Sequence, residues 1–305
     1  MEEKSFDLSK IEYIDTHSHL QFKSYDGNRE EVIGRMIANK VATICIGVDL
    51  KESEEGKALS MNHENIFYSV ALHPHDNLDE AVFAFENEKE YFEKLKVIAD
   101  SEKCVAIGEC GLDYFYIYKE LSEGKISEEK LKEEIEKQNK IFRAHINLAI
   151  DLDLPLMLHI RPSELNGNKE DGYLDAIEIL KEYKNIKGNF HFFVGTEKVL
   201  EKILNELENF TVSIPAVCTF TTEYDEMIKN IPLNKIHIET DSPFVMPKAR
   251  RKEVKQNEPS FVIDVFEKIC EIKGITSISS VINKEEFKNT LKENFKNLYL
   301  TKNVG

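Results

Sequence analysis

The chain has 305 residues, with 40 Lys and Arg against 56 Asp and Glu, a formal charge of −16, and 41% hydrophobic residues. These values suit a soluble globular chain with an α/β core, and no apolar run approaches the roughly 18 residues that a membrane span needs. The opening MEEKSFDLSK lacks a secretory apolar core, and five scattered cysteines without C-x-x-C exclude a disulfide scaffold, so a reducing cytoplasm is the expected compartment. The acidic surplus also argues against general affinity for nucleic acid, which relies on neutralised phosphates.

Short β-rich runs alternate with amphipathic stretches from end to end. Strands are predicted at Ile11–Asp15, Val41–Gly47, Phe67–Leu72, Val105–Glu109, Pro155–Ile160, Asn189–Val194, Thr211–Ile214 and Ile236–Glu239. Their apolar, β-branched content suits strands buried on both faces of a parallel sheet. Helical spacing covers Glu30–Asn39, Leu78–Ser101, Glu128–Leu152, Tyr173–Tyr183, Glu197–Leu207 and Tyr224–Ile231. Two more helices, Ser260–Lys273 and Lys284–Leu300, follow. Eight strands with crossovers make an α/β fold, a (β/α)8 TIM barrel, the simplest architecture. A doubly wound open sheet is the alternative, but no G-x-G-x-x-G follows the first strand. No linker divides the chain, so residues 1–305 read as one domain. Tyr118–Lys137, dense in Glu and Lys, reads as a solvated extension of an exterior helix.

Residues with metal-binding chemistry fall at strand ends. The first strand leads into Asp15-Thr16-His17-Ser18-His19. Side chains alternate with period two, so His17 and His19 share a face and can share a metal. Glu109 ends the fourth strand, His159 lies in the fifth with Arg161 two residues on, and His191 lies in the sixth. Glu239 and Asp241 close the eighth. In a barrel these ends converge on one mouth. An N/O donor set without thiolates suits zinc, magnesium or manganese.

The segments IDTHSHL, ALHPHD, AIGECGLDYF, PLMLHIRP, FHFFVG, IETDSPF and QNEPSFV occur in the order found in the TatD family, which the chain resembles from Ile11 to Phe295. That family comprises metal-dependent hydrolases, many of them deoxyribonucleases, within the amidohydrolase-like barrels. The resemblance implies two divalent metal cations. His17 and His19 would bind one, with Asp241 beside it; Glu109 would bridge; His159 and His191 would bind the second. His73, in the His73-Pro74-His75 turn, resembles a position near the substrate phosphate. Two departures stand out: Phe192 replaces a small residue, and His145 takes a position where Gln is common. Tyr118–Lys137 and Ser163–Gly172 also look longer than usual.

Two cations so held would activate a shared water, with Asp241 as both ligand and proton acceptor. Glu239 would orient a ligand or the water, or make a structural hydrogen bond. Arg161 suits a phosphate oxygen. His75 and Asp113 are candidates for contacts to substrate or to ligand side chains. The loop Lys248–Lys255 carries five basic residues and one acidic, +4 over eight positions, so Arg250 and Arg251 are expected to draw phosphates to the mouth. The implied activity is a phosphodiester hydrolase, a deoxyribonuclease of 3′–5′ exonuclease type on DNA ends or short single strands. An ester or amide hydrolase such as an aminoacyl-tRNA deacylase is the alternative, because the same centre serves both reactions. Neither a membrane nor an obligatory protein partner is implied.

Overall fold

The computed structural model describes residues 6–75, 88–277 and 282–301. All eight expected strands form one parallel sheet in chain order. They are β1 (Tyr13–Ser18), β2 (Val41–Cys45), β3 (Ile66–Val70), β4 (Cys104–Asp113), β5 (Leu156–Arg161), β6 (Gly188–Phe190), β7 (Phe210–Ile214) and β8 (Ile236–Ile238). The sheet curls until its first and last strands meet. Ser18 bridges to Ser242, the Asp241 N–H donates to the His17 carbonyl at 3.0 Å, and the His19 N–H donates to the Ser242 carbonyl at 2.7 Å. The result is a (β/α)8 barrel.

Strands β2, β3 and β4 are buried at every position, which is why β2, β3 and the first half of β4 read as largely apolar runs. β1 begins later than its apolar pattern suggests and runs through Ser18, so His17 is a strand residue. Helix Glu128–Leu152 matches its expected bounds. Ser127 caps it by accepting from the Lys130 N–H, and Asp153 ends it in the left-handed conformation.

Three expectations change. Tyr118–Lys137 is not one extension: a helix ends at Ser122, a turn follows, and a second helix starts at Glu128. Of the predicted Leu78–Ser101 helix, Glu88–Ile98 is helical, and residues 76–87 lie outside the described residues. A helix at Leu50–Asn62 had no predicted counterpart. It buries Ser53, Gly56 and Ser60 against the sheet, and Asp49 caps it. The barrel interior is plugged by the C-terminal segment, with Phe295, Leu298 and Tyr299 packed among Ile14, Ile44, Phe67 and Met157. No helix among the described residues is long and apolar enough to cross a membrane.

Candidate metal centre

The junction of β1 and β8 builds the first half of the centre. His17 and His19 bring their Nε2 atoms to 3.3 Å of each other. Asp241 Oδ1 lies 3.6 Å from the first and 3.5 Å from the second. Asp241 has φ +52, a left-handed conformation that Asp tolerates better than most residues. Its position is set from below by Asp15. That buried carboxylate accepts from the Thr240 N–H at 2.8 Å and from the Thr240 hydroxyl at 2.7 Å.

β4 builds the second half. Gly108 and Gly111 flank Glu109-Cys110, with φ of +157 and +141. A Cβ on Gly108 would meet the Met157 carbonyl at 2.3 Å, and one on Gly111 the His159 carbonyl at 2.2 Å. Only glycine lets β4 approach β5 so closely. That approach brings Glu109 Oε1 to 2.6 Å from His159 Nδ1. The same oxygen lies 3.0 Å from His191 Nε2 and 3.4 Å from His73 Nε2. Glu109 Oε2 lies 3.4 Å from His17 Nε2 and 3.7 Å from His19 Nε2. One carboxylate therefore faces five imidazoles.

The ring nitrogens are backed by further carboxylates. Asp113 Oδ2 lies 3.2 Å from His159 Nε2, while Asp113 Oδ1 accepts from the Phe115 N–H and caps helix Tyr114–Ser122. Glu239 Oε1 lies 3.2 Å from His191 Nδ1 and accepts from the Phe192 N–H at 2.6 Å. A carboxylate behind an imidazole fixes its orientation and raises its basicity as a ligand.

The electrostatics call for added positive charge. Burial alone would push Glu109 up, but the imidazoles of His191, His73 and His17 hold it well below the ordinary carboxylate range. Burial opposes charge on His159 as well, yet hydrogen bonds to Asp113 and Glu109 raise it to about 9. His191 is likewise held well above its ordinary value, against burial, by Glu239 and Glu109. Burial and the neighbouring His191 charge push His17 down. The surrounding carboxylates thus favour positive charge on His159 and His191 despite burial. The buried Glu239 Oε2 has no hydrogen-bond partner. Three sets offer donor atoms within 4.8 Å of one another: His17, His19 and Asp241; His73, Glu109 and His159; His17, His191 and Glu239. This donor chemistry fits divalent cations.

The centre opens into a cavity of about 680 Å³. On the rim after β4 and β5, the Arg161 guanidinium lies 3.8 Å over the Phe115 ring and 5.0 Å from Tyr116, which stacks on His75 at 3.8 Å. Among the described residues no carboxylate pairs with Arg161. Phe22 and Phe244 line the rim after β1 and β8, and Phe192, with φ +48, lines the cavity beside His191.

The fold thus gathers His17, His19, His73, Glu109, His159, His191, Glu239 and Asp241, with Arg161 at the rim. It places Arg250 and Arg251 elsewhere, and neither lines the cavity. Arg250 is held by Asp264 at 2.7 and 3.3 Å and by Glu253 at 3.1 Å. Arg251 lies 4.1 Å over the Phe220 ring and donates to the Met246 carbonyl. His145 is a buried structural residue: its Nε2 accepts from the Leu72 N–H, its Nδ1 donates to the Ile141 carbonyl, and burial pushes it down to about 4. Asp15, Phe22 and Phe244 were not singled out by sequence reasoning. For Asp15 a signal existed, since it lies two residues before His17 on the same face.

The family description "TatD related DNase" matches residues 14–300. An uncharacterized metal-dependent hydrolase, YabD, of Bacillus subtilis (strain 168) is 32% identical over 291 residues, covering 94% of this chain and 98% of that relative. The crystal structure of YjjV, a TatD homolog from Escherichia coli K12, superposes with a TM-score of 0.74 at 21% identity over 96% of this chain and 99% of that one. A TatD family hydrolase from Entamoeba histolytica gives 0.73 at 24% identity over 95% and 99%.

Proposed function

The chain belongs to the TatD-related DNase family of metal-dependent hydrolases, and from that premise we propose that it is a deoxyribonuclease of 3′–5′ exonuclease type working with two divalent cations. The observation that carries this reading is Glu109, one carboxylate shared among imidazoles from both halves of the centre. In this reading His17, His19 and Asp241 would hold one cation and His159 and His191 the other, with Glu109 serving both sets and His73 beside it. When bound, such a pair supplies an acidified water and positive charge for a phosphate oxygen.

The chain's own residues do the rest. Asp241, at the edge of the cavity, accepts the proton from the attacking water at a carboxylate oxygen. Asp113 and Glu239 keep His159 and His191 turned toward Glu109. Arg161 receives a non-bridging phosphate oxygen, its guanidinium kept flat by Phe115 and Tyr116. Arg251, without a carboxylate partner among the described residues, adds attraction from a distance, whereas Arg250 is neutralised by Asp264. No disulfide joins the five cysteines, all of them buried, which suits a reducing cytoplasm.

The test compares 3′- and 5′-labelled single-stranded DNA with a panel of esters and amides, in added Mg²⁺, Mn²⁺ or Zn²⁺, using Asp241→Ala as the control. Stepwise loss from the 3′ end, abolished in Asp241→Ala, is the expected outcome. Turnover of the ester panel with intact DNA would replace the nuclease reading with the deacylase one.

A further inference from the structure

One exposed and one half-buried apolar ring stand at the mouth, beside the histidine–carboxylate cluster. Phe244 is 49% exposed. It lies 5.8 Å from the His19 ring and 6.3 Å, edge-on, from Phe22. Phe22 itself stacks on His19 at 4.5 Å and 24°. These rings share one cavity with Glu109 and Asp241.

Phe244 is not a loose surface side chain. Its N–H donates to the Asp241 carbonyl at 2.9 Å. The buried Asn257 amide donates to the carbonyls of Phe244 and Thr240, and the Asn257 carbonyl accepts in turn from the Tyr25 hydroxyl at 2.6 Å. Val245 follows with φ +45, a conformation that β-branched residues rarely adopt. A buried amide and a strained turn thus hold an exposed ring beside the Asp241 carboxylate, and strain so placed points to function. This also gives a role to the Gln256-Asn257-Glu258-Pro259 motif, which the metal centre does not use.

Resting on the nuclease reading above, we propose that Phe22 and Phe244 form a stacking platform for the nucleobase of the nucleotide whose phosphodiester lies on the histidine–carboxylate cluster, with Asn257 as the positioning residue. The order of strands supports the geometry. The loops after β1 and β8 are neighbours, and those after β4 and β5 lie across the barrel. A base on the phenylalanine rim therefore leaves its backbone to run over the cluster toward Arg161. The cavity, about 680 Å³, has room for a nucleotide-sized group. Stacking accepts every base, because each has a π face, but that face must be free of its neighbour in a duplex. Single-stranded and frayed ends are then the substrate, and closed duplex ends resist.

The experiment measures kcat/KM on single-stranded oligonucleotides with a normal or an abasic residue at the cleaved end, for wild type, Phe244→Ala, Phe244→Tyr and Asn257→Ala. A 2-aminopurine at that end reports stacking by fluorescence, independently of turnover. Loss of the base should cost wild type and Phe244→Tyr about tenfold, and Phe244→Ala no more than about twofold. Asn257→Ala should fall between them. Wild type should quench 2-aminopurine, and Phe244→Ala should not. An equal abasic penalty in wild type and Phe244→Ala, or no penalty in wild type, overturns the platform and leaves the nuclease reading standing. Failure to cut either oligonucleotide while an ester is hydrolysed overturns both.

Discussion

Stripping divalent cations should give this protein a stability that declines between pH 6.5 and 8, and reloading them should remove the decline. In the cation-free chain burial opposes a charge on His159, but Asp113 and Glu109 raise it from an ordinary 6.5 to about 9. A raised histidine contributes its full stability below its unfolded value and loses it as pH climbs through its folded one. At about 1.4 kcal/mol per pH unit, His159 alone surrenders on the order of 2 kcal/mol between pH 6.5 and 8. His191, also held high, acts with the same sign. The buried His145 and His237, pushed down to about 4 and about 3, have the opposite sign, but most of their contribution is already in place at pH 6.5. Lys103 and Lys273, lowered to about 8 by burial, begin to oppose the trend in the upper half of the window without reversing it. Cations need neutral imidazoles and compete with these protons, so their affinity rises across the same range. Urea unfolding of chelator-treated and Mn²⁺-loaded protein at pH 6.5, 7.25 and 8 measures both slopes. A flat or rising curve for the chelated protein would refute the proton shared by His159, Asp113 and Glu109. Identical slopes with and without Mn²⁺ would place the cations elsewhere.

Glu109→Gln keeps the shape of the side chain but removes the charge that five imidazoles share; bound metal should fall from about two per chain to one or fewer, with turnover down by about a thousandfold, checked by elemental analysis and a nuclease assay. Gly111→Ala sets a Cβ 2.2 Å from the His159 carbonyl at φ +141, so unfolding free energy should drop by about 3 kcal/mol or more, read from urea midpoints. Asp15→Ala orphans the buried Thr240 N–H and hydroxyl; about 3 kcal/mol of stability and about tenfold in metal affinity should be lost, with Asp15→Asn recovering part of both. Binding of short single strands to the metal-loaded protein should weaken with salt at a log–log slope near −1, whereas a slope of about −3 would restore several residues of the basic loop as direct phosphate contacts.

Most of the barrel is legible because its strands are buried on both faces, so Val41–Cys45 is apolar but for the buried Thr43, and Leu156–Leu158 is apolar up to His159. Helix Leu50–Asn62 is illegible for the complementary reason. It packs Ser53, Gly56 and Ser60 against β3, and Gly56 leaves only about van der Waals room between Cys45 and Tyr68, so no apolar stripe marks it. Helix Tyr114–Ser122 hides behind its own cap, since Asp113 ends β4 and starts the helix at once. At the centre, strand alternation places His17 beside His19, and the strand ends bring in Glu109, His159, His191 and Asp241. The partners behind them are tertiary: Asp15 reaches Thr240, and Glu239 reaches His191, across strands that local periodicity does not connect. The basic loop shows the same limit from the other side. Its place after β8 predicts where the backbone goes, but Asp264, in the following helix, decides where the Arg250 guanidinium points.

That last point changes how a chain of net charge −16 can hold a polyanion. If Arg250 and Arg251 lined the mouth, attraction would rest on fixed positive charge and would persist without metal. With Arg250 bound to Asp264 and Arg251 laid on Phe220, the fixed positive charge that lines the cavity without a carboxylate partner among the described residues is Arg161. The carboxylates of Glu109, Asp113 and Asp241 line the same cavity, so the cation-free mouth holds phosphate poorly. Bound divalent cations would invert that field at the histidine–carboxylate cluster and nowhere else. Affinity for the backbone is then confined to the one or two phosphates nearest the cluster, and the remainder must come from contacts that carry no charge. The mouth supplies these as Phe22 and Phe244 on one rim and the Tyr116–His75 stack on the other. On the nuclease reading, an acidic barrel with divalent cations at its centre and aromatic rims would hold an end and ignore the length of the strand behind it.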